Sequence, residues 1–483
     1  MAFAAPMLHD RGCGWHLDLR SHIMFSPDNL EGSDIARGFW KATYLHETAH
    51  WMRYQSSTIG LLLTLLQRAK AITAMRAFSE LPQPSRVDLI RRLRSGSPVW
   101  STERGFDPNH LGEDFALMGQ SWLDLQVVFT LLFDANGIDG IAWQYDEALG
   151  CALSDAWRAA ASFPGMLSHP GNAVADHLCR DRPKIDSQTG RTITTRSLWE
   201  CASTLDELRT NGLTSDDGAQ LTELVRYKLD EPEYGAPWAW ANSQCAGGTT
   251  PDMFQLVVHL AMNPPLPFWD TSTTATSWED LYPPARFARL YRTVAENSFL
   301  HEMVVRSRAP AGLLEEIASL SGVPVGKVPG VPVFDVGSHP AVAQPTAGGH
   351  NAVVKNALTL SHLLDESPLE AVWPTIESVH VHDGDDWGQW LAAMQSRVRF
   401  TAPILMSFTD GHYSAGSVEP VLSDVDMAAF VRGAWGFCVL DELIQGRPSA
   451  AAAQLFLPRD LRIETSVEKF IDRYVSDPGA PLW

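Results

Sequence analysis

Two histidines four positions apart, with a glutamate directly after the first, stand in the segment YLHETAHWMRYQSSTIG as His46, Glu47 and His50. Residues at that spacing lie on one side of an α-helix about one turn apart, so both imidazoles can reach a single cation. Glu47 leaves the helix at another angle, where a carboxylate can take a proton from water polarised by that cation. The pattern therefore predicts His46 and His50 as metal ligands and Glu47 as the catalytic base. The plainer reading is a pair of partly buried core histidines, with Glu47 paired on the surface to Arg53 or Lys41.

The helix that must position them can be read from its neighbours. Ser33 can cap a helix running from Asp34 to Ser56. Within it Ile35, Gly38, Ala42, Leu45, Ala49 and Met52 alternate at spacings of three and four, which makes a continuous small and apolar stripe facing the core. His46 and His50 each follow a stripe member by one residue and so project at its flank.

Two imidazoles are not a complete site. A catalytic ion usually takes three protein ligands and keeps one position for water or substrate, so a third donor is expected from elsewhere. The best candidate lies in RSLWECASTLDEL, where Glu200 and Glu207 share a helix face with Thr204, and Leu198, Cys201, Leu205 and Leu208 form the buried side. Ser197 to Glu200 also fits the capping box S/T-x-x-E, in which the glutamate would only satisfy a backbone N–H. Glu113 in HLGEDFALMG, with His110 behind it, is the second choice.

The segment resembles the HExxH signature of the zincin peptidases, in which the two histidines bind zinc and the glutamate is the general base. That resemblance implies ligand roles for His46 and His50 and the base role for Glu47. The metzincin Gly and His offsets after the second histidine are occupied by Arg53 and Ser56, with Tyr54 between them, which excludes that subclass. The gluzincin type implies a glutamate on a following helix, yet no acidic residue occurs between His50 and Glu80. The segment is also similar to uncharacterised bacterial HExxH proteins with a motif of the form HEYxHxxQxxxTxxG, followed far downstream by a helical glutamate and small residues. Ser57 and Gly60 match its later positions, Arg53 replaces its glutamine, and the downstream glutamate it implies is Glu200.

The leading expectation is thus a zinc-dependent metallohydrolase of peptidase type, acting on a peptide or an amide-containing small molecule. Tyr54 or Tyr145 would steady the oxyanion. Two histidines and a carboxylate are equally the facial triad of non-haem Fe(II) oxygenases, which would add 2-oxoglutarate as cosubstrate and Arg53 as the partner of its carboxylate. A third alternative is a non-catalytic helical binding protein.

Composition narrows the partners. The 37 Lys plus Arg face 57 Asp plus Glu for a formal charge of −20, which argues against a grip on nucleic acid. Six scattered cysteines without a CxxC pair argue against a thiolate zinc site or a disulfide framework, and suggest a reducing cytoplasm. The first residues show no signal-peptide pattern, and IGLLLTLL near the motif is too short to span a bilayer.

Helical periodicity dominates, so the expected class is mainly α with minor β, with a helical metal-site core built around the HExxH helix. Further helices are expected at Leu61 to Phe78, Glu113 to Phe133, Asp146 to Ser162, Leu198 to Arg209, Asp252 to Met262, Pro284 to Glu296, Ala311 to Leu320, Ala352 to Asp365, Trp387 to Val398 and Val425 to Gln445. Strand candidates are Arg191 to Thr195, Glu377 to His382 and Ala402 to Thr409, while His412 in TDGHYSAG reads as a loop residue. A Pro/Gly-rich stretch at 321–350 separates a helical region at 1–320, which holds the HExxH segment, from a mostly helical region at 351–483. His380 and His382 in ESVHVHDGDDWGQW could share a strand face, but DGDDW reads as a turn and helix start.

Overall fold

The computed structural model describes residues 23–26, 46, 49–50, 53–54, 57–60, 62–63, 66, 82, 85, 88, 100–101, 105–106, 129, 132–133, 193–214, 226–264, 278–300, 302, 313–325, 404–409 and 412–417. These residues are mainly helical. The elements are α1 (Thr195–Thr214), α2 (Pro232–Gln244), α3 (Pro251–Ala261), α4 (Trp278–Leu281), α5 (Pro283–Glu296) and α6 (Leu313–Ser321), with strands β1 (Ile23–Ser26), β2 (Trp100–Ser101), β3 (Gly105–Phe106), β4 (Ile404–Thr409) and β5 (His412–Ser417). Positions 46, 49, 50, 53 and 54 are helical, as are 58–60, 62, 63 and 66, with a bend at Ser57.

The bend has a local cause. Ser57 Oγ accepts the backbone N–H of Gly60 at 3.1 Å, the contact of an N-cap residue that starts a second helix. A Cβ at position 60 would lie 1.8 Å from the carbonyl oxygen of Tyr54, so only glycine lets the two helices meet this closely. The first donors of that second helix are satisfied from the end of α3: Thr58 N–H donates to Asn263 Oδ1 at 3.0 Å and Ile59 N–H to the Met262 carbonyl at 3.2 Å. The Ser57 and Gly60 positions of the motif therefore set the turn that follows the histidine helix.

Helix α1 begins one turn earlier than the hydrophobic periodicity suggests. Thr194 Oγ1 accepts the Ser197 N–H at 3.1 Å and Ser197 Oγ accepts the Thr194 N–H at 2.9 Å, a reciprocal capping box. Ser197 is thus the responding residue of the box, and Glu200 is released from the capping role that the sequence alone offers it. The strand expected at Arg191 to Thr195 is not formed where it is described: residues 193 and 194 lack regular structure and 195 is helical.

Nearly every residue of α1 from 195 to 207 is buried, including Ser203, Thr204, Asp206 and Glu207. Its polar face is therefore a packing face, and each polar group needs a partner inside the protein. Behind it Trp199 stacks between Tyr54 and Phe133, with ring centroids 5.7 and 5.8 Å away.

Helix α2 was not expected from periodicity. It carries Pro237 in its interior and Pro232 at its start, the latter a position where the missing N–H costs nothing. Trp240 packs against Phe287 and Tyr291 of α5. Helix α3 is capped by Thr250, whose side chain accepts the Met253 N–H at 3.2 Å. Its other end is held by Arg286 of α5. That guanidinium is fully buried and donates to the carbonyl oxygens of Leu260, Ala261, Asn263, Asp280 and Pro324. Burial lowers its pKa to about 9, while Asp280 opposes the shift.

Strand β4 confirms the expected strand at Ala402 to Thr409, pairing parallel to β1 and antiparallel to β5. His412 lies in β5 and not in a loop. Thr409 pairs with His412 across Asp410 and Gly411, a two-residue Asp-Gly hairpin signal that periodicity alone does not read. Helices expected at 146–162, 352–365, 387–398 and 425–445, the strand at 377–382 and most of the 321–350 stretch lie outside the described residues. Among the described residues, no helix is long and apolar enough to cross a membrane.

Candidate metal centre

Three donor atoms meet where the histidine helix crosses α1. His46 Nε2 lies 3.0 Å from His50 Nε2 and 3.2 Å from Glu200 Oε2, and His50 Nε2 lies 2.9 Å from the same oxygen. The residues expose only 5%, 7% and 8% of their surface. Among the described residues they form a cluster of ligating type that could hold a metal ion. The second choices for a third ligand, Glu113 and His110, and the base candidate Glu47 lie outside the described residues, as does Tyr145.

Such close approach of three potential ligand atoms is unfavourable unless a positive charge lies among them. In the metal-free chain a proton supplies it. Burial by itself would lower the His46 pKa, but contacts with Glu200 and Glu207 prevail and raise it from 6.5 to about 9. Burial likewise resists ionisation of Glu200, yet His50 and His46 hold its carboxyl well below the usual range. The sign follows directly: the His46 contribution to metal-free stability is complete below pH 6.5 and is lost as pH rises through about 9. A metal ion needs the deprotonated imidazole and must displace that proton. Calorimetric titration at pH 7 in buffers of different ionisation enthalpy should therefore report release of about one proton per ion, with affinity increasing toward pH 9.

A second layer lies behind His46. Glu207 Oε2 is 3.3 Å from His46 Nδ1, an ion-pair contact whose direction falls short of a well-formed hydrogen bond. Lys228 Nζ donates to both oxygens of Glu207, at 3.0 and 2.9 Å. Glu200 Oε1 lies 3.8 Å from Arg196 Nε, one turn earlier on α1. Thr204 donates to the Glu200 carbonyl, not to its side chain.

Arg53 lies one turn beyond His50 and is bound into the interior. Its guanidinium pairs with Asp206 and donates to Gln255 Oε1 at 2.7 Å and Ser203 Oγ at 3.3 Å. Gln255 in turn donates to Asp206 Oδ1 and to the Ala202 carbonyl. Arg53 thus ties the histidine helix to α1 and α3, and is buried with Asp206 where the plainer reading leaves it on the surface. Tyr54 packs its ring on Trp199. The tyrosine beside the cluster is Tyr234 of α2, edge-on to His46 with centroids 6.3 Å apart. Tyr234 and Lys228 went unrecognised in the sequence because neither stands at a fixed spacing from the histidines; the Glu231-Pro232 helix start was the available signal for their surroundings. Comparison of the chain with protein-family models, with curated proteins and with solved structures finds no match.

Proposed function

We propose that His46, His50 and Glu200 hold one divalent metal ion, and that the chain is a metal-dependent hydrolase of peptidase type acting on a peptide or amide bond. The observation that carries the metal reading is the convergence of Nε2, Nε2 and Oε2 of three buried residues within 2.9 to 3.2 Å of one another. Two imidazoles and one carboxylate are a donor set of catalytic zinc, and three protein ligands leave a coordination position open. Bound there, the ion would supply Lewis-acid activation of a water and of the scissile carbonyl. Glu47, next to His46 in the sequence, would accept the proton of the attacking water and return it to the leaving amine. Tyr234, beside His46, is in place to contact a ligand at the cluster's edge.

A second reading takes the same residues as a non-haem Fe(II) site with 2-oxoglutarate as cosubstrate. The donor separations favour keeping it. With metal–ligand bonds of about 2.05 Å, tetrahedral angles would separate donors by about 3.3 Å and right angles by about 2.9 Å. The separations of 2.9, 3.0 and 3.2 Å span the range between the two, so a right-angled facial arrangement is as accessible as a tetrahedral one.

Metal analysis of the chain purified without added metal separates these readings when joined to a peptide-library assay read by mass. Stoichiometric zinc with peptides cleaved by addition of water supports the hydrolase. Iron with turnover that needs oxygen and 2-oxoglutarate, leaving products one oxygen atom heavier, supports the oxygenase. Absence of any bound metal overturns both. On the hydrolase reading, Glu47→Gln should keep full metal content and lower the hydrolysis rate by roughly 100-fold or more, the scale of a positioned acid–base group. A variant that hydrolyses at the wild-type rate would reject the base role.

A further inference from the structure

We infer that Glu207 and Lys228 form the outer shell of this centre: Glu207 holds the His46 ring so that Nε2 faces the ion, and Lys228 holds Glu207. The inference rests on the metal reading above and extends it to two residues that contribute no ligand atom. An imidazole that gives its Nε2 lone pair to a cation must carry its remaining proton on Nδ1, which turns that buried nitrogen into a donor in need of an acceptor. The Glu207 carboxylate stands 3.3 Å from it, is only 2% exposed, and comes from α1, two turns beyond Glu200 on the same helix face.

A buried carboxylate can serve as that acceptor only if its charge is matched. Lys228 does this by donating to both oxygens from a side chain 36% exposed, which connects the buried layer to the surface. One helix thereby supplies a ligand to the ion and an acceptor to another ligand's far side. Rotation of the His46 ring would break both relations together. Because a carboxylate close to Nδ1 also makes an imidazole more basic, the pair should strengthen the bond from His46 to the ion. In both roles Glu207 is a positioning residue and needs no contact with substrate.

Cobalt(II), followed by its visible absorption, is a suitable probe of affinity and geometry in the full chain. Glu207→Gln should weaken cobalt binding by about 10 to 100-fold and shift the absorption bands, the scale typical for loss of an outer-shell partner. Glu207→Asp keeps the charge and the lysine partner but withdraws the carboxylate from Nδ1, and it too should bind more weakly. A purely structural role would lower the unfolding midpoint of both variants and leave affinity and spectrum unchanged. Wild-type affinity in both variants, or in Glu207→Asp alone if Glu207→Gln does not fold, would overturn the inference. Failure of the wild-type chain to bind cobalt would instead overturn the metal reading itself.

Discussion

Glu200→Gln should lose the metal while the helices around it remain folded. Glutamine matches the shape of the glutamate, so the packing of α1 is preserved, and the loss is confined to a charged donor shared by two imidazoles. Outer-shell partners of metal sites are worth about 10 to 100-fold in affinity, and removal of a ligand should exceed about 100-fold. Competition with a chelator of known affinity measures this, and far-ultraviolet circular dichroism reports whether the helices are kept. The substitution also withdraws one of the two carboxylates that hold the His46 pKa up against burial, so that pKa should fall below about 9. A Glu200→Gln chain with full metal content, alongside a Glu113 or His110 variant that loses it, would transfer the third ligand to one of those residues.

The second large effect is expected at Arg53. Its guanidinium and the Asp206 carboxylate are both buried, and the guanidinium also donates to Gln255 and Ser203. Arg53→Met would leave the Asp206 charge inside the protein without its guanidinium partner. Removing one partner of a buried pair typically costs about 3–5 kcal/mol, so we expect about that loss in chemical denaturation followed by circular dichroism. Adding Asp206→Leu should recover much of it, because a buried pair replaced as a unit by apolar groups is often nearly neutral. The double variant also tests a functional role for Arg53. A strut can be replaced in this way with metal binding intact and 2-oxoglutarate affinity unchanged. An anchor for the cosubstrate carboxylate would show as a stable chain that binds metal but not 2-oxoglutarate. Retention of wild-type stability by Arg53→Met would refute the strut.

These expectations rest on features of different legibility. The spacing of His46 and His50 placed both imidazoles on one helix side before any fold was known, because the geometry of an α-helix is local. The helices α1, α3, α5 and α6 were likewise legible from periodicity and caps, with ends that moved by at most five residues. Helix α2 was not, since two prolines and a run of small and aromatic residues leave no clean apolar stripe. Glu200 stood between. Its sequence neighbours offered a capping box to Ser197, and only the contacts of the folded chain decided that Thr194 and Ser197 close the box, with Thr195 bound to the Leu132 carbonyl.

By itself the sequence determined that the two imidazoles stand one turn apart on one helix side, because that depends only on residues within two helical turns. The tertiary structure decided which carboxylate meets the pair, what Arg53 binds and what stands behind His46. Those partners lie about 150 to 200 residues away along the chain, at Glu200, Asp206, Glu207, Lys228 and Gln255. No local spacing encodes such contacts: α1 reads as amphipathic, with a polar face apparently turned to water, until the histidine helix packs on that face and makes its carboxylates interior groups that must be paired.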